Sequence, residues 1–139
     1  MLYQQGDQRT FMNIGLLEDN PAILDYMTVA LEMAGHQVQT YTYGASLIES
    51  LLTGSDAHSP LPYDLIIVDL LLPGNISGYE TVKQIQEVIP LNKLPVIIIS
   101  AGSRAEIEFV KTNLPTVPVL RKPFRMSALF QLIYDLKIG

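Results

Sequence analysis

The chain has no cysteine in its 139 residues, which excludes a disulfide framework, a thiolate zinc site and a cysteine nucleophile. Long hydrophobic runs are also missing. The longest solid ones, residues 65–68 and 96–99, fall far short of the ~20 residues a membrane-spanning helix needs. The polar first ten residues contain no apolar segment of signal-peptide type, so a cytoplasmic protein without a membrane anchor is expected. A basic footprint is absent too. Nine Lys and Arg stand against fourteen Asp and Glu, for a formal net charge of −5, so direct nucleic-acid binding by this chain is not expected. Neither repeats nor low-complexity tracts occur.

What is present suits a folded domain. Hydrophobic residues make up 48% and charged residues 17%, a globular composition rather than a disordered one. The length fits one domain. Residues 1–11 read as a loose leader and 12–139 as a single domain with no output domain within this chain, and the sequence does not decide between a stand-alone protein and a piece of a longer one. The stretch 53–63, with Gly54, Ser55, Asp56, Ser59, Pro60 and Pro62, reads as a surface connection within it.

Five short apolar runs mark strands at residues 13–17, 38–41, 65–68, 96–99 and 117–120. The third and fourth are unbroken Val, Ile and Leu, the pattern of strands buried on both faces of a parallel sheet. Helical periodicity fills the gaps at residues 21–34, 45–52, 79–88, 105–112 and 126–137. The first helix has Asn20 as N-cap, Pro21 at its first position and Gly35 as its stop. Strand–helix alternation five times over predicts a doubly wound α/β sandwich on a five-stranded parallel sheet, with right-handed crossovers. Its working site should lie beyond the carboxyl ends of the strands.

The residues at those ends are Glu18 and Asp19 after strand one, Asp69 at the end of strand three, Ser100 after strand four and Lys122 after strand five. Core packing requires none of them, since such groups are seldom buried unless paired or metal-bound. Clustered carboxylates favour a hard cation with oxygen ligands. An aspartate can act as a nucleophile and form an aspartyl phosphate. Phosphoryl transfer then depends on positioning and charge stabilisation, which a lysine, a hydroxyl and a cation supply. Blander readings exist for each residue: a solvated acidic pair before a helix, a strand-end turn aspartate, a surface lysine and a helix-capping serine. His36 and His58 read as solvated, Phe124 as core, and Tyr41 and Tyr43 as structural.

Taken in order, Glu18-Asp19-Asn20-Pro21, residues 65–69 with Leu72-Pro73-Gly74 and Gly78, Ser100-Ala101, and Lys122-Pro123-Phe124 resemble the receiver domains of two-component response regulators. The resemblance covers about residues 12–138. It implies the strand order 2-1-3-4-5 and a phosphoacceptor role for Asp69. It implies Mg2+ (or Mn2+) held by Asp19 and Asp69 directly, by Glu18 through water, and by the backbone carbonyl of Leu71. Ser100 and Lys122 would serve the phosphoryl oxygens, and the Lys122–Pro123 bond would be cis. The donor would be a phosphohistidine on a sensor kinase or phosphotransfer protein. Such a chain assists its own phosphorylation without being a turnover enzyme. The downstream partner is not implied, and the last helices offer a surface for a homodimer.

Three departures stand out. The loop from Pro73 to Gly78 is one residue longer than the common family pattern. Leu71 is apolar where many members are polar, which predicts a long-lived phosphoryl state. Val119 replaces the Tyr or Phe with which many members couple the site to their output face. These departures leave a second reading, a pseudo-receiver that only binds a partner through the fold. A flavin mononucleotide carrier is disfavoured because Glu18-Asp19 would repel its phosphate. A phosphatase of the haloacid-dehalogenase type is disfavoured because Leu71 stands where its second Asp belongs.

Overall fold

The two solid Val/Ile/Leu runs form the centre of the sheet. The computed structural model describes residues 11–52 and 60–138. Of the expected leader only Phe11 falls among these, and His58 lies outside them. Five strands, β1 (Asn13–Leu17), β2 (Gln37–Tyr41), β3 (Leu65–Asp69), β4 (Val96–Ser100) and β5 (Val119–Arg121), run parallel in the order β2-β1-β3-β4-β5. Every residue of β3 and β4 is buried, and Asp69 sits opposite Ile99 in their register.

Five helices connect the strands: α1 (Pro21–Met33), α2 (Gly44–Leu52), α3 (Gly78–Gln86), α4 (Arg104–Asn113) and α5 (Met126–Ile138). Side-chain alternation along the strands divides the core in two. Ile66, Val68, Val96 and Ile98 meet Leu47 and Leu51 of α2, Val82 and Ile85 of α3, and Val110 of α4. Leu16, Leu65, Ile67, Ile97 and Ile99 meet Met27 and Leu31 of α1, and Leu129 and Ile133 of α5. Each fully buried aliphatic side chain contributes about 1.5–3 kcal/mol, so truncating the fully buried Ile67 to Ala should cost about 2–5 kcal/mol.

Local chemistry sets the helix ends. Asn20 Oδ1 accepts the N–H groups of Ala22 and Ile23 at 3.0 and 3.1 Å. Gly35, at φ +101°, reverses the chain after α1, a conformation that favours glycine. Helices α3 and α4 both open with a Ser-x-x-Glu capping box, Ser77–Glu80 and Ser103–Glu106, which satisfies two otherwise orphaned N–H donors at each start. Among the described residues no helix is long and apolar enough to cross a membrane.

Two expectations need correction. Strand β5 begins at Val119 rather than at residue 117. Pro118 has no N–H to give to a ladder, and only its carbonyl joins the sheet, accepting the Ile98 N–H at 2.9 Å. His36, expected in solvent, is buried at 7% exposure. The reversal at Gly35 turns it inward, where Nδ1 accepts the Met12 N–H at 3.1 Å. Burial holds its pKa below the ordinary 6.5. Tyr41 is structural as expected. Its hydroxyl bonds that of Tyr63, whose pKa is pushed up to about 12 by burial and by that bond. Tyr43 is half exposed and lies against Gly74 in the loop after β3. Phe124 is partly buried against the α1/α5 side of the core.

Candidate functional site

The parallel sheet delivers four strand ends to one edge of the molecule, and the five chemistry-bearing side chains arrive with them. Lys122 leaves β5 through a cis Lys122–Pro123 bond, and its backbone N–H is fixed to the Ser100 carbonyl at 2.8 Å. Its ammonium lies in the space between the ends of β1 and β3. There Nζ donates to Glu18 Oε1 at 2.7 Å and to Asp69 Oδ2 at 3.2 Å. Glu18 is fully buried. Its other oxygen accepts the Asn20 N–H at 3.0 Å, so both of its oxygens are used. Asp69 Oδ1 accepts the Leu71 N–H at 3.3 Å.

Glu18, Asp19 and Asp69 each present a carboxylate oxygen, and these oxygens lie within 4.8 Å of one another. Glu18 and Asp69 are buried while Asp19 is exposed, so the cluster opens to solvent on one side. One lysine stands against three carboxylates, and the electrostatics reflect it. Burial, then the charge of Glu18 and the hydrogen bond with it, push the Asp69 carboxyl up to about 7 against the pull of Lys122. Burial opposes ionisation of Glu18 as well, but the hydrogen bonds from Lys122 and from the Asn20 N–H outweigh it and hold Glu18 below the usual carboxylate range. The ammonium lies closer to Glu18 than to Asp69, and it offsets only part of the repulsion that Asp69 bears. An all-oxygen donor set with excess negative charge and an open side fits a hard divalent cation of the Mg2+ or Mn2+ kind, and fits zinc poorly.

Ser100 is fully buried. Its Oγ accepts the Gly102 N–H at 2.8 Å, which leaves the hydroxyl proton free of any acceptor among the described residues. Leu71 lies beside Asp69 with its side chain about half exposed. The structure thus brings Glu18, Asp19, Asp69, Ser100 and Lys122 to one edge and sets the Leu71 backbone against the Asp69 carboxylate.

Two glycines have a packing role in this site that the sequence reading did not give them. A Cβ on Gly78 would lie 2.0 Å from the Asp69 carbonyl oxygen, and the Gly78 N–H bonds the Leu70 carbonyl at 3.0 Å. The start of α3 is thereby seated directly on the end of β3. A Cβ on Gly102 would lie 2.9 Å from Ser100 Oγ, so α4 begins in contact with the hydroxyl. In the sequence Gly78 stood only as a turn glycine of the resemblance, nine residues past Asp69, and Gly102 only as a glycine two residues past Ser100.

The fold and the strand-end carboxylate cluster define a doubly wound α/β protein with its site at the sheet's carboxyl edge. Comparison with known proteins makes the class specific. The family model of the response regulator receiver domain matches residues 14–134, and the chain belongs to that family, the receiver modules of two-component systems. It is 30% identical over 115 residues to the transcriptional regulatory protein QseB of Escherichia coli O157:H7, covering 83% of this chain and 48% of that protein. It is 28% identical over 109 residues to the transcriptional regulator RpaA of a Synechocystis strain, covering 78% of this chain and 42% of RpaA. The chain thus spans less than half the length of these two curated relatives. Among solved structures it resembles the bacteriophytochrome response regulator AtBRR, with a TM-score of 0.74 and 26% identity over 93% of this chain and 94% of the other. It likewise resembles the phosphorylated cyanobacterial phytochrome response regulator RcpA, with a TM-score of 0.70 and 26% identity over 91% of each chain.

Proposed function

We propose that this chain is a phosphorylation-dependent switch in which Asp69 receives a phosphoryl group from a phosphohistidine of a sensor kinase or phosphotransfer protein. One observation carries the reading: a buried Asp69 carboxylate, only partly offset by the lysine it shares with Glu18, meets the oxygens of Glu18 and Asp19 at an open strand edge. A structural aspartate would find full compensation; a reactive one awaits a partner. The phosphorylated state of RcpA, a protein of the same fold, supports it.

In the proposed step an Asp69 oxygen forms a bond to phosphorus while the P–N bond to the donor imidazole breaks, its electron pair returning to nitrogen. Lys122 stands within hydrogen-bond distance of the attacking carboxylate and can follow the phosphoryl oxygens. Ser100 holds an uncommitted hydroxyl proton that can be donated to them. Asp19 and Asp69 would hold the divalent cation directly, Glu18 through water and Leu71 through its carbonyl. When bound, that cation supplies the positive charge that three carboxylates and a phosphoryl group demand. The chain assists this transfer on itself and turns over no outside substrate, and its place of action is the cytoplasm. Phosphorylation adds about −1.5 to −2 charge units, which draws Ser100 and Lys122 inward and shifts the loops after β3 and β4.

Beryllofluoride, a tetrahedral stand-in for the phosphoryl group, tests the site. Its 19F resonances should show a bound species in the presence of Mg2+, lost in Asp69→Asn and on chelation of the metal. Absence of any bound species at millimolar Mg2+ would overturn the proposal and favour the pseudo-receiver.

A further inference from the structure

Val119 leaves the site without an aromatic partner on β5. It is partly buried against the α2–α4 side of the core and pairs in register with Ile98, and a valine has no ring to swing into space vacated by Ser100. The nearest aromatic contact that spans the site's two loops lies elsewhere. Tyr79, the second residue of α3, meets Phe109 of α4 edge-to-face, with ring centroids 5.1 Å apart and planes at 66°.

Each ring sits on a helix tied to a site residue. The start of α3 is locked to Asp69, because Gly78 packs against the Asp69 carbonyl and bonds Leu70, and Tyr79 follows immediately. The start of α4 is locked to Ser100 through the Gly102 N–H bond to its Oγ, and Phe109 lies one and a half turns into that helix. Resting on the proposed role of Asp69, a consequence follows for Ser100. A swing of Ser100 Oγ toward a phosphoryl oxygen carries the acceptor away from the Gly102 N–H and loosens the chain at the start of α4. Helix α4 then retains its core residues Ile107 and Val110 and its ring contact with α3. Phe109 is 53% exposed, so the contact is at the surface and weak enough to be remade. Such pairs bias a conformational equilibrium by about two- to tenfold.

We propose that the Tyr79–Phe109 contact is the link by which phosphorylation of Asp69 is transmitted to α4, a role that an aromatic residue on β5 cannot play in this chain. The two rings are positioning residues. They touch neither the phosphoryl group nor the cation, and act by holding the loop after β3 in register with the loop after β4.

The test compares wild type with Phe109→Leu and Tyr79→Leu, both of which keep apolar volume and remove a ring. Amide hydrogen exchange over residues 104–113 is measured with and without Mg2+–beryllofluoride, and bound beryllofluoride is counted by 19F resonance in the same samples. In wild type the analogue should change α4 exchange several-fold. Each variant should bind the analogue as wild type does, yet lose most of that change, and the double variant should lose no more than either single one. A merely structural contact would alter exchange equally with and without the analogue. Full analogue binding with an undiminished α4 response in the single variants, or independent adding of their losses, would overturn the link. Failure of wild type to bind the analogue would instead overturn the proposed function, and the link with it.

Discussion

Lys122 lies closer to Glu18 than to Asp69: its ammonium stands 2.7 Å from the Glu18 carboxylate and 3.2 Å from that of Asp69. The lysine that serves the acceptor is thus shared with a buried neighbour, and the cluster holds more negative charge than it can neutralise alone. Asp69→Asn removes one of three carboxylates while preserving shape. It should raise the metal-free unfolding free energy by about 1–2 kcal/mol, since like charges near one site are costly. Millimolar Mg2+ should raise the melting temperature of wild type by mass action and leave that of the variant unchanged. Thermal melts with Mg2+ and with chelator check both, and a Mg2+ shift that survives in the variant would remove Asp69 from the ligand set.

Gly78 is the seat on which α3 meets the acceptor strand. With only 2.0 Å between a new Cβ and the Asp69 carbonyl oxygen, Gly78→Ala forces the backbone apart. Overpacking of this kind costs about 1–3 kcal/mol. The damage should reach the site, weakening beryllofluoride affinity as well as shifting the urea midpoint. Retention of both would show that the loop relaxes freely.

Much of this arrangement was legible in the sequence. Asp69 could be placed because four unbroken Val, Ile and Leu residues before it demanded a doubly buried strand, and a parallel sheet sends such strand ends to one edge. Asn20-Pro21 and Gly35 announced both ends of α1 by chemistry alone. What stayed hidden depended on contacts between residues distant along the chain. Glu18 and Lys122 are 104 positions apart, and no local pattern states that the lysine lies closer to Glu18. The Tyr79–Phe109 and Tyr41–Tyr63 pairs are of the same kind. Pro118 shortened β5 through one missing donor. His36 was misread because a histidine after a glycine looks like loop, and only the partner Met12, across the α1 connection, makes it core.

His36 gives a pH dependence separate from the site. Its folded pKa is depressed by burial below the ordinary 6.5. Above pH 6.5 it is neutral both folded and unfolded, and the fold carries no penalty. As pH falls below 6.5 the unfolded chain binds the proton first, so stability declines until the folded pKa is passed. His36→Asn keeps an acceptor for the Met12 N–H and cannot titrate. Urea unfolding between pH 7.5 and pH 5 should show a shallower decline in the variant, and identical slopes would mean that His36 is protonated freely in the fold.

Leu71 places an apolar, half-exposed side chain beside the acceptor. It should hinder approach of the hydrolytic water and prolong the aspartyl phosphate. Leu71→Asn should shorten its lifetime several-fold without changing the acceptor, as followed by the decay of phosphorylated mass after donor removal. A wild-type lifetime of only seconds, or an unchanged one in the variant, would count against this role.

The most direct measurement is intact mass after incubation with acetyl phosphate and Mg2+, with Asp69→Asn alongside. A gain of one phosphoryl group in wild type, absent from the variant and absent on chelation of the metal, is the result expected of a switch that takes phosphate on Asp69. No gain with any small phosphodonor or divalent cation, or an equal gain in the variant, would contradict it.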